Sequence, residues 1–172
     1  MASRNRERKR PIMTDVVQYV TLGIERETFA VPVESVREIL DMRDVARLPH
    51  APVYLLGIID VRGRSVPVID LRLKLALPSV PAMPETRILV LEVPIDGRAI
   101  VLGLVADRVF EVTGLDTAAV EPPPDIGGRW RSEYIVGIAR RQDAFVIIFE
   151  VARLFAAEDL AALERPPSGI AA

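Results

Sequence analysis

The chain of 172 residues contains no cysteine. Disulfides, thiolate nucleophiles and cysteine-based zinc sites are therefore excluded. The single histidine, His50, lies between Pro49 and Pro52, so a histidine cluster is excluded as well. Only two lysines occur, Lys9 and Lys74, which leaves little for a Ser–Lys pair. Aromatic residues are 5% of the total, too few for the stacking platforms of nucleic-acid modules. No stretch reaches ~18 uncharged apolar residues, so no transmembrane helix and no direct membrane insertion are expected. G-x-S-x-G, a phosphate loop, H-E-x-x-H and G-x-G-x-x-G are all missing. The expectation is a protein that is not an enzyme and that uses neither metal nor cofactor.

A chain of this length holds one ordinary domain or two small interleaved ones, and buries roughly 70% of its unfolded surface. Hydrophobic residues are 50% and charged residues 27%, a globular profile. The formal net charge of -2 is unevenly placed. Arg4, Arg6, Arg8, Lys9 and Arg10 face only Glu7 within residues 1–10, and the rest holds 17 basic against 23 acidic residues. An acidic body argues against nucleic acid as a partner. The basic arm reads as a solvated, disordered terminus, with contact to a phosphate or lipid headgroup as the alternative. No apolar core follows these charges, so the arm is not a secretory signal and a cytoplasmic location is expected.

Strand signals dominate the body. In residues 16–24, Val20, Leu22 and Ile24 share one face, with Tyr19 and Thr21 on the other. Phe29 to Val33 resumes as a short strand, with Pro32 hinting at an edge or bulge. Val36, Ile39 and Leu40 then fall at i, i+3 and i+4, and Ser35 with Glu38 has capping-box spacing, which predicts a short helix over 34–40. Pro52 to Gly57 has the marks of a helical turn. Residues 57–71 read as a hairpin turning at Gly63, and Asp96-Gly97 marks a second hairpin between residues 86–94 and 98–106. Gly103 suggests a bulge. A further strand covers Val109 to Val112, and Thr113 to Arg131 reads as irregular. Tyr134 to Ala139 and Phe145 to Phe149 form a last hairpin. Val151, Leu154, Phe155, Leu160 and Leu163 suggest an amphipathic C-terminal helix. About nine short strands with one early and one late helix point to small β-barrels rather than a parallel α/β sheet.

Candidate chemistry is sparse. With the hairpin centred on Gly63, Asp60 pairs near Val66 and Asp70 near Leu56, which separates the two acids by roughly 13 Å at ~3.3 Å per residue. A glycosidase pair needs about 5–9.5 Å, so solvation or a local turn bond is the expectation for each. Tyr19, Phe29 and Phe149 fall inside apolar runs and are expected in the core. Trp130, between two arginines, reads either as an exposed anchor for a partner or as a barrel cap. Arg62 sits at a tight turn, suited to pairing with a partner carboxylate or simply to solvation.

Gly57 to Arg72 match the pattern G-x-x-x-x-R-G-x-x-x-P-V-x-D-L-R, and Ala30 to Ile39 match A-V-P-V-x-x-V-x-E-I. With these blocks, the chain from about Val17 to Phe155 resembles the CheW-like family, the adaptor proteins of bacterial chemotaxis. The resemblance implies a mainly β fold of two intertwined five-stranded SH3-like barrels, neither a continuous segment. It divides the chain into the arm 1–14, a CheW-like domain over 15–156, and the C-terminal helix end and tail over 157–172. It implies a non-catalytic adaptor between a chemoreceptor's cytoplasmic signalling tip and the regulatory domain of a histidine autokinase. The expected setting is a cytoplasmic or membrane-associated receptor array, with ring assembly. The alternative is a related pathway such as pilus motility.

The same resemblance carries a receptor-binding role onto Val36, Glu38, Ile39, Gly57, Arg62 and Gly63, placed in a groove between the barrels. It puts the kinase contact at barrel ends and assigns no residue to it. The family usually has Asn where this chain has Asp60. A carboxylate there is expected either to pair with Arg62 or to accept a different partner.

Overall fold

The computed structural model describes residues 15–124 and 133–155. Apolar runs between tight turns form ten strands among them. These are β1 (Val16–Ile24), β2 (Glu27–Pro32), β3 (Val36–Asp41), β4 (Leu55–Val61), β5 (Arg64–Asp70), β6 (Arg87–Ile95), β7 (Arg98–Ala106), β8 (Arg108–Asp116), β9 (Ile135–Arg141) and β10 (Ala144–Phe149). A single turn of helix, α1 (Leu71–Lys74), comes after β5 and starts where the Asp70 side chain accepts the Arg72 N–H. Three hairpins close on two residues with positive φ: Arg62-Gly63, Asp96-Gly97 and Gln142-Asp143. Positive φ at both positions matches the twist of the flanking strands.

Two five-stranded sheets result, ordered β8-β1-β2-β10-β9 and β3-β6-β7-β5-β4. The connection patterns are the same. In each, the third and fourth strands pair in parallel and all other neighbours are antiparallel. Each sheet closes in the same way. Ala46, beyond β3, exchanges backbone hydrogen bonds of 2.9 and 2.8 Å with Ile58 on β4. Glu121, beyond β8, does so with Ile138 on β9, also at 2.9 and 2.8 Å. Closure removes the exposed strand edges. The central barrel, β3 to β7, is one continuous stretch inserted between β2 and β8 of the terminal barrel. The interleaving is therefore one-sided, since only the terminal barrel is split.

Three apolar clusters fill this frame. Tyr19, Ala30, Leu115, Ala139, Val146 and Ile148 fill the terminal barrel. Ile59, Val61, Val66, Val68, Ile88 and Val90 fill the central one. The largest cluster lies in the seam between them and draws on both sheets, uniting Val20, Leu22 and Ile24 from β1 with Leu89, Leu91 and Val93 from β6. Consequently β1 and β6 are buried on both faces. Tyr19, Phe29 and Phe149 are buried as expected.

Several local expectations change. Residues 34–40 hold no helix: a 3-10 turn, Val33–Ser35, leads into β3. A bulge lies between Val36 and Glu38, so Val36 and Ile39, three residues apart, pair with Leu91 and Leu89 on one face of the sheet. That extra residue produced the helix-like spacing. The Pro52–Gly57 segment is a turn running into β4, because Leu55 to Gly57 pair with β5. Gly103 is not at a bulge. It admits close approach, since a Cβ there would lie 2.9 Å from Ile88 Cγ2. β8 runs on to Asp116, so Thr113 to Asp116 are strand rather than irregular. Asp60 pairs with Ser65, one residue from the expected register, because the turn is two residues long. Of the C-terminal helix, Val151–Leu154 form a 3-10 turn, and residues from 156 on lie outside the described residues. The 1–14 arm and Trp130 lie outside them too.

Leu104 is wholly buried in the seam. Leu104→Ala is expected to lower stability by about 2–5 kcal/mol. Because the seam belongs to both barrels, denaturant unfolding followed by far-UV and near-UV circular dichroism should stay one coincident transition. Two separated transitions would show that the barrels fold independently.

Candidate partner-binding site

The β4–β5 turn and the β3 strand meet at the rim of the central barrel. Arg62 has φ 52° and Gly63 φ 81°, which turns the Arg62 side chain outward, where it is 84% exposed. Its Nε lies 3.2 Å from Glu38 Oε2. Glu38 pairs with Val90, on the face that fills the central barrel. The Asp60 carboxylate accepts the Gly63 N–H at 2.8 Å. The acid at position 60 thus closes the turn, and Arg62 takes Glu38 as its ion partner. An ion pair this exposed contributes about 0–1 kcal/mol, so a competing carboxylate displaces it at little cost.

The sequence-derived site residues separate into three groups. Glu38, Arg62 and Gly63 form the charged rim. Val36 and Ile39 lie on the opposite face of β3, with Val36 packed against the seam and Ile39 43% exposed. Gly57 lies at the barrel closure, where φ is 146° and a Cβ would stand 2.0 Å from the Ala46 carbonyl oxygen. Its bare backbone lets the segment after β3 cross β4, so it shapes the site. The six residues share β3, β4 and the adjoining turn and all belong to the central barrel.

One charged cluster escaped sequence reading. Arg72, on α1, is buried. Its Nε and Nη2 donate to Asp107 Oδ1 and Oδ2 at 2.8 and 2.6 Å, and its Nη1 donates to Glu25 at 3.0 Å. The Glu25 N–H donates to Asp107 Oδ2 at 2.7 Å. The network ties α1 of the central barrel to the β1–β2 turn of the terminal barrel and to the link between β7 and β8. The only signal available was position: Arg72 ends the matched motif, two residues after the Asp70 cap. Burial pushes the Asp107 carboxyl up, but the bonds from Arg72 and the Glu25 N–H, with the charges of Arg72 and Arg108, hold it below the usual aspartate value. The bond to Asp107 raises Arg72 further above its ordinary value, against the effect of its burial.

Among the described residues, no group of three or more acids or histidines is placed to hold a metal ion. No helix among them is long and apolar enough to cross a membrane. Two closed five-stranded barrels, fused along an apolar seam and carrying a charged rim, define a double SH3-like barrel protein. The chain belongs to the CheW-like domain family of chemotaxis scaffold proteins, whose profile matches residues 18–159. Chemotaxis protein CheW of Treponema pallidum is 27% identical over 143 residues, covering 83% of this chain and 84% of that protein. Protein FrzA of Myxococcus xanthus is 33% identical over 110 residues, covering 64% and 66%. The crystal structure of scaffolding protein TtCheW from Thermoanaerobacter tengcongensis superimposes with a TM-score of 0.73 at 28% identity, over 84% of this chain and 95% of that one.

The depressed Asp107 carboxyl makes stability depend on pH. A carboxyl whose folded value lies below its unfolded value stabilises the fold above the unfolded value, and this contribution disappears as pH falls through the folded one. Asp107→Asn is therefore expected to be less stable than the parent at neutral pH, and the gap should close on acidification below the ordinary aspartate range. Denaturation midpoints of both proteins across a pH series check this. A gap that stays constant down to low pH would remove Asp107 from the network's charge balance.

Proposed function

We propose that this chain couples the signalling tip of a chemoreceptor to the regulatory domain of a histidine autokinase, within cytoplasmic or membrane-associated arrays. The observation that carries this reading is the rim of the central barrel. There an exposed guanidinium, lightly held by Glu38, lies across β3 from the exposed Ile39. A partner helix with an apolar stripe and an acid finds both kinds of contact on β3 and the adjoining turn. Arg62 pairs the partner's carboxylate, Glu38 positions Arg62, and Val36 with Ile39 supplies apolar contact. Gly57 and Gly63 keep the backbone in the required shape.

The kinase domain contacts barrel ends, and ring assembly multiplies interfaces that are individually weak. Such contacts often bury less than ~1,200 Å², and multivalency supplies the strength. A second reading is an adaptor in a related chemosensory-like pathway such as pilus motility, since the relatives include a protein that does not carry the chemotaxis name, Protein FrzA. That reading keeps the same rim and changes only the receptor.

Co-sedimentation of the purified protein with a receptor signalling fragment and the autokinase, with kinase activity read alongside, tests the proposal. A ternary complex with altered kinase activity is expected. Arg62→Glu is expected to weaken receptor binding by about tenfold or more, as lost charge-assisted pairing of about 1.5–3 kcal/mol implies, with an unchanged circular dichroism spectrum. Unchanged receptor affinity in this variant would take the rim out of the contact. Binding to neither partner by the parent protein would reject the adaptor reading.

A further inference from the structure

A cleft of about 290 Å³ opens where the interior of the terminal barrel meets the seam. Val31 and Phe149 of the terminal barrel and Val93 of the central barrel form its apolar wall. Two 3-10 turns bound it, Val33–Ser35 after β2 and Val151–Leu154 after β10, and both pack against β6. Each turn brings one acid to the rim, Glu34 within the first and Glu150 just before the second. No arginine or lysine among the described residues lines the cleft. Glu150 is already paired with Arg153 at 2.7 Å. Glu34 is exposed and has no cation partner among the described residues.

Tyr19 supplies the polar atom inside. It pairs with Pro32 at the end of β2, two residues before Glu34, and is 8% exposed. Its hydroxyl makes no hydrogen bond with a described residue. No polar side-chain atom among these residues is both sealed from solvent and without a partner, so the hydroxyl opens into the cleft that Tyr19 lines. Burial pushes its pKa up and the Glu34 charge adds to the rise, so Tyr19 stays protonated with its oxygen lone pairs free to accept. An anion entering here would meet the unpaired Glu34 carboxylate and be repelled. A cation finds that carboxylate, an open oxygen and two aromatic rings, all of which favour it.

We propose that this cleft binds a small organic amine, its ammonium held by Glu34 and the Tyr19 oxygen and its apolar body filling the space between Val31, Val93 and Phe149. The amine is a free small molecule, since an enclosed apolar wall suits an apolar body better than a peptide backbone with polar groups of its own. Because the walls come from both barrels, the occupant bridges them and stiffens the joint. The site is separate from the Glu38–Arg62 rim, and the proposal concerns the isolated protein.

Titration of the isotope-labelled full chain with phenethylammonium, followed by amide chemical shifts, tests it. Saturable shifts confined to the residues around the cleft are expected, together with a rise in the thermal unfolding midpoint. Phenylpropanoate, with the same aryl body and the opposite charge, should not bind. Glu34→Gln should weaken the amine by about fivefold, and Tyr19→Phe, which keeps the ring, by about threefold. Glu34 is exposed and Tyr19→Phe is conservative, so both variants should keep the parent's circular dichroism spectrum. N-acetyl-lysine amide, which carries the ammonium on a peptide, should bind more weakly than phenethylammonium. Tighter binding by the lysine compound would assign the cleft to a partner's side chain and overturn the free-amine proposal. Shifts that do not saturate or that spread over the surface overturn it as well. So does equal binding of phenylpropanoate, or an amine affinity that neither substitution changes. Neither receptor nor kinase is present, so failure here leaves the adaptor reading intact.

Discussion

Leu22, Leu89, Leu91, Leu102 and Leu104 are wholly buried where the outer face of one barrel meets the outer face of the other. A five-stranded barrel of this size has a small interior, filled here by about six side chains in each case. Such an interior alone offers little apolar burial. The seam supplies the rest by burying the second face of β1 and β6. Two marginal barrels thereby become one cooperative body. Val151, Leu154 and Phe155 extend the same seam from the far end of the chain, which ties the C-terminal side of the terminal barrel to the central one.

The polar edge of this seam is held by Arg72. A guanidinium taken out of water is costly unless its donors are satisfied. Asp107, Glu25 and the Pro78 carbonyl satisfy it. The arginine reads the orientation of one barrel against the other, because its partners stand on segments that belong to different barrels or join them. The rim built by Glu38 and Arg62 has the opposite character. It is exposed, weakly paired and free to exchange partners, which suits a binding surface, whereas the buried network suits a fixed frame. Backbone geometry links the two regions. Gly57 lets the segment after β3 close the central barrel, and that closure fixes β3 beside the Arg62 turn.

Much of this fold is legible in the order of residues. Asp96-Gly97 and Arg62-Gly63 announce their hairpins, since few dipeptides accept positive φ at both positions. Alternation announces β1, and the apolar runs on either side of Asp96-Gly97 announce β6 and β7. The bulge in β3 is hidden because an inserted residue converts period two into a spacing that local reading assigns to a helix. The equivalence of the two barrels is hidden as well. Gly57 and Gly137 occupy matching places beside the closing segments, yet the turns beyond them, Arg62-Gly63 and Gln142-Asp143, share no residue. At the site, motif matching names the right stretch of chain but does not divide it between two faces of a strand. It also leaves open whether Asp60 meets Arg62, and it does not point to Glu38.

Residue type and order determined what this protein lacks and where its chain turns. The missing cysteines, the lone histidine and the paired turn residues act through covalent chemistry and local backbone sterics, which need no neighbours. Tertiary structure alone decided which strands sit side by side, which faces become seam, and which acid each arginine meets. Those outcomes depend on contacts between residues far apart in the chain, such as Glu25 with Asp107, or Val151 with the β6 face. Their energies exist only after both barrels have closed and docked.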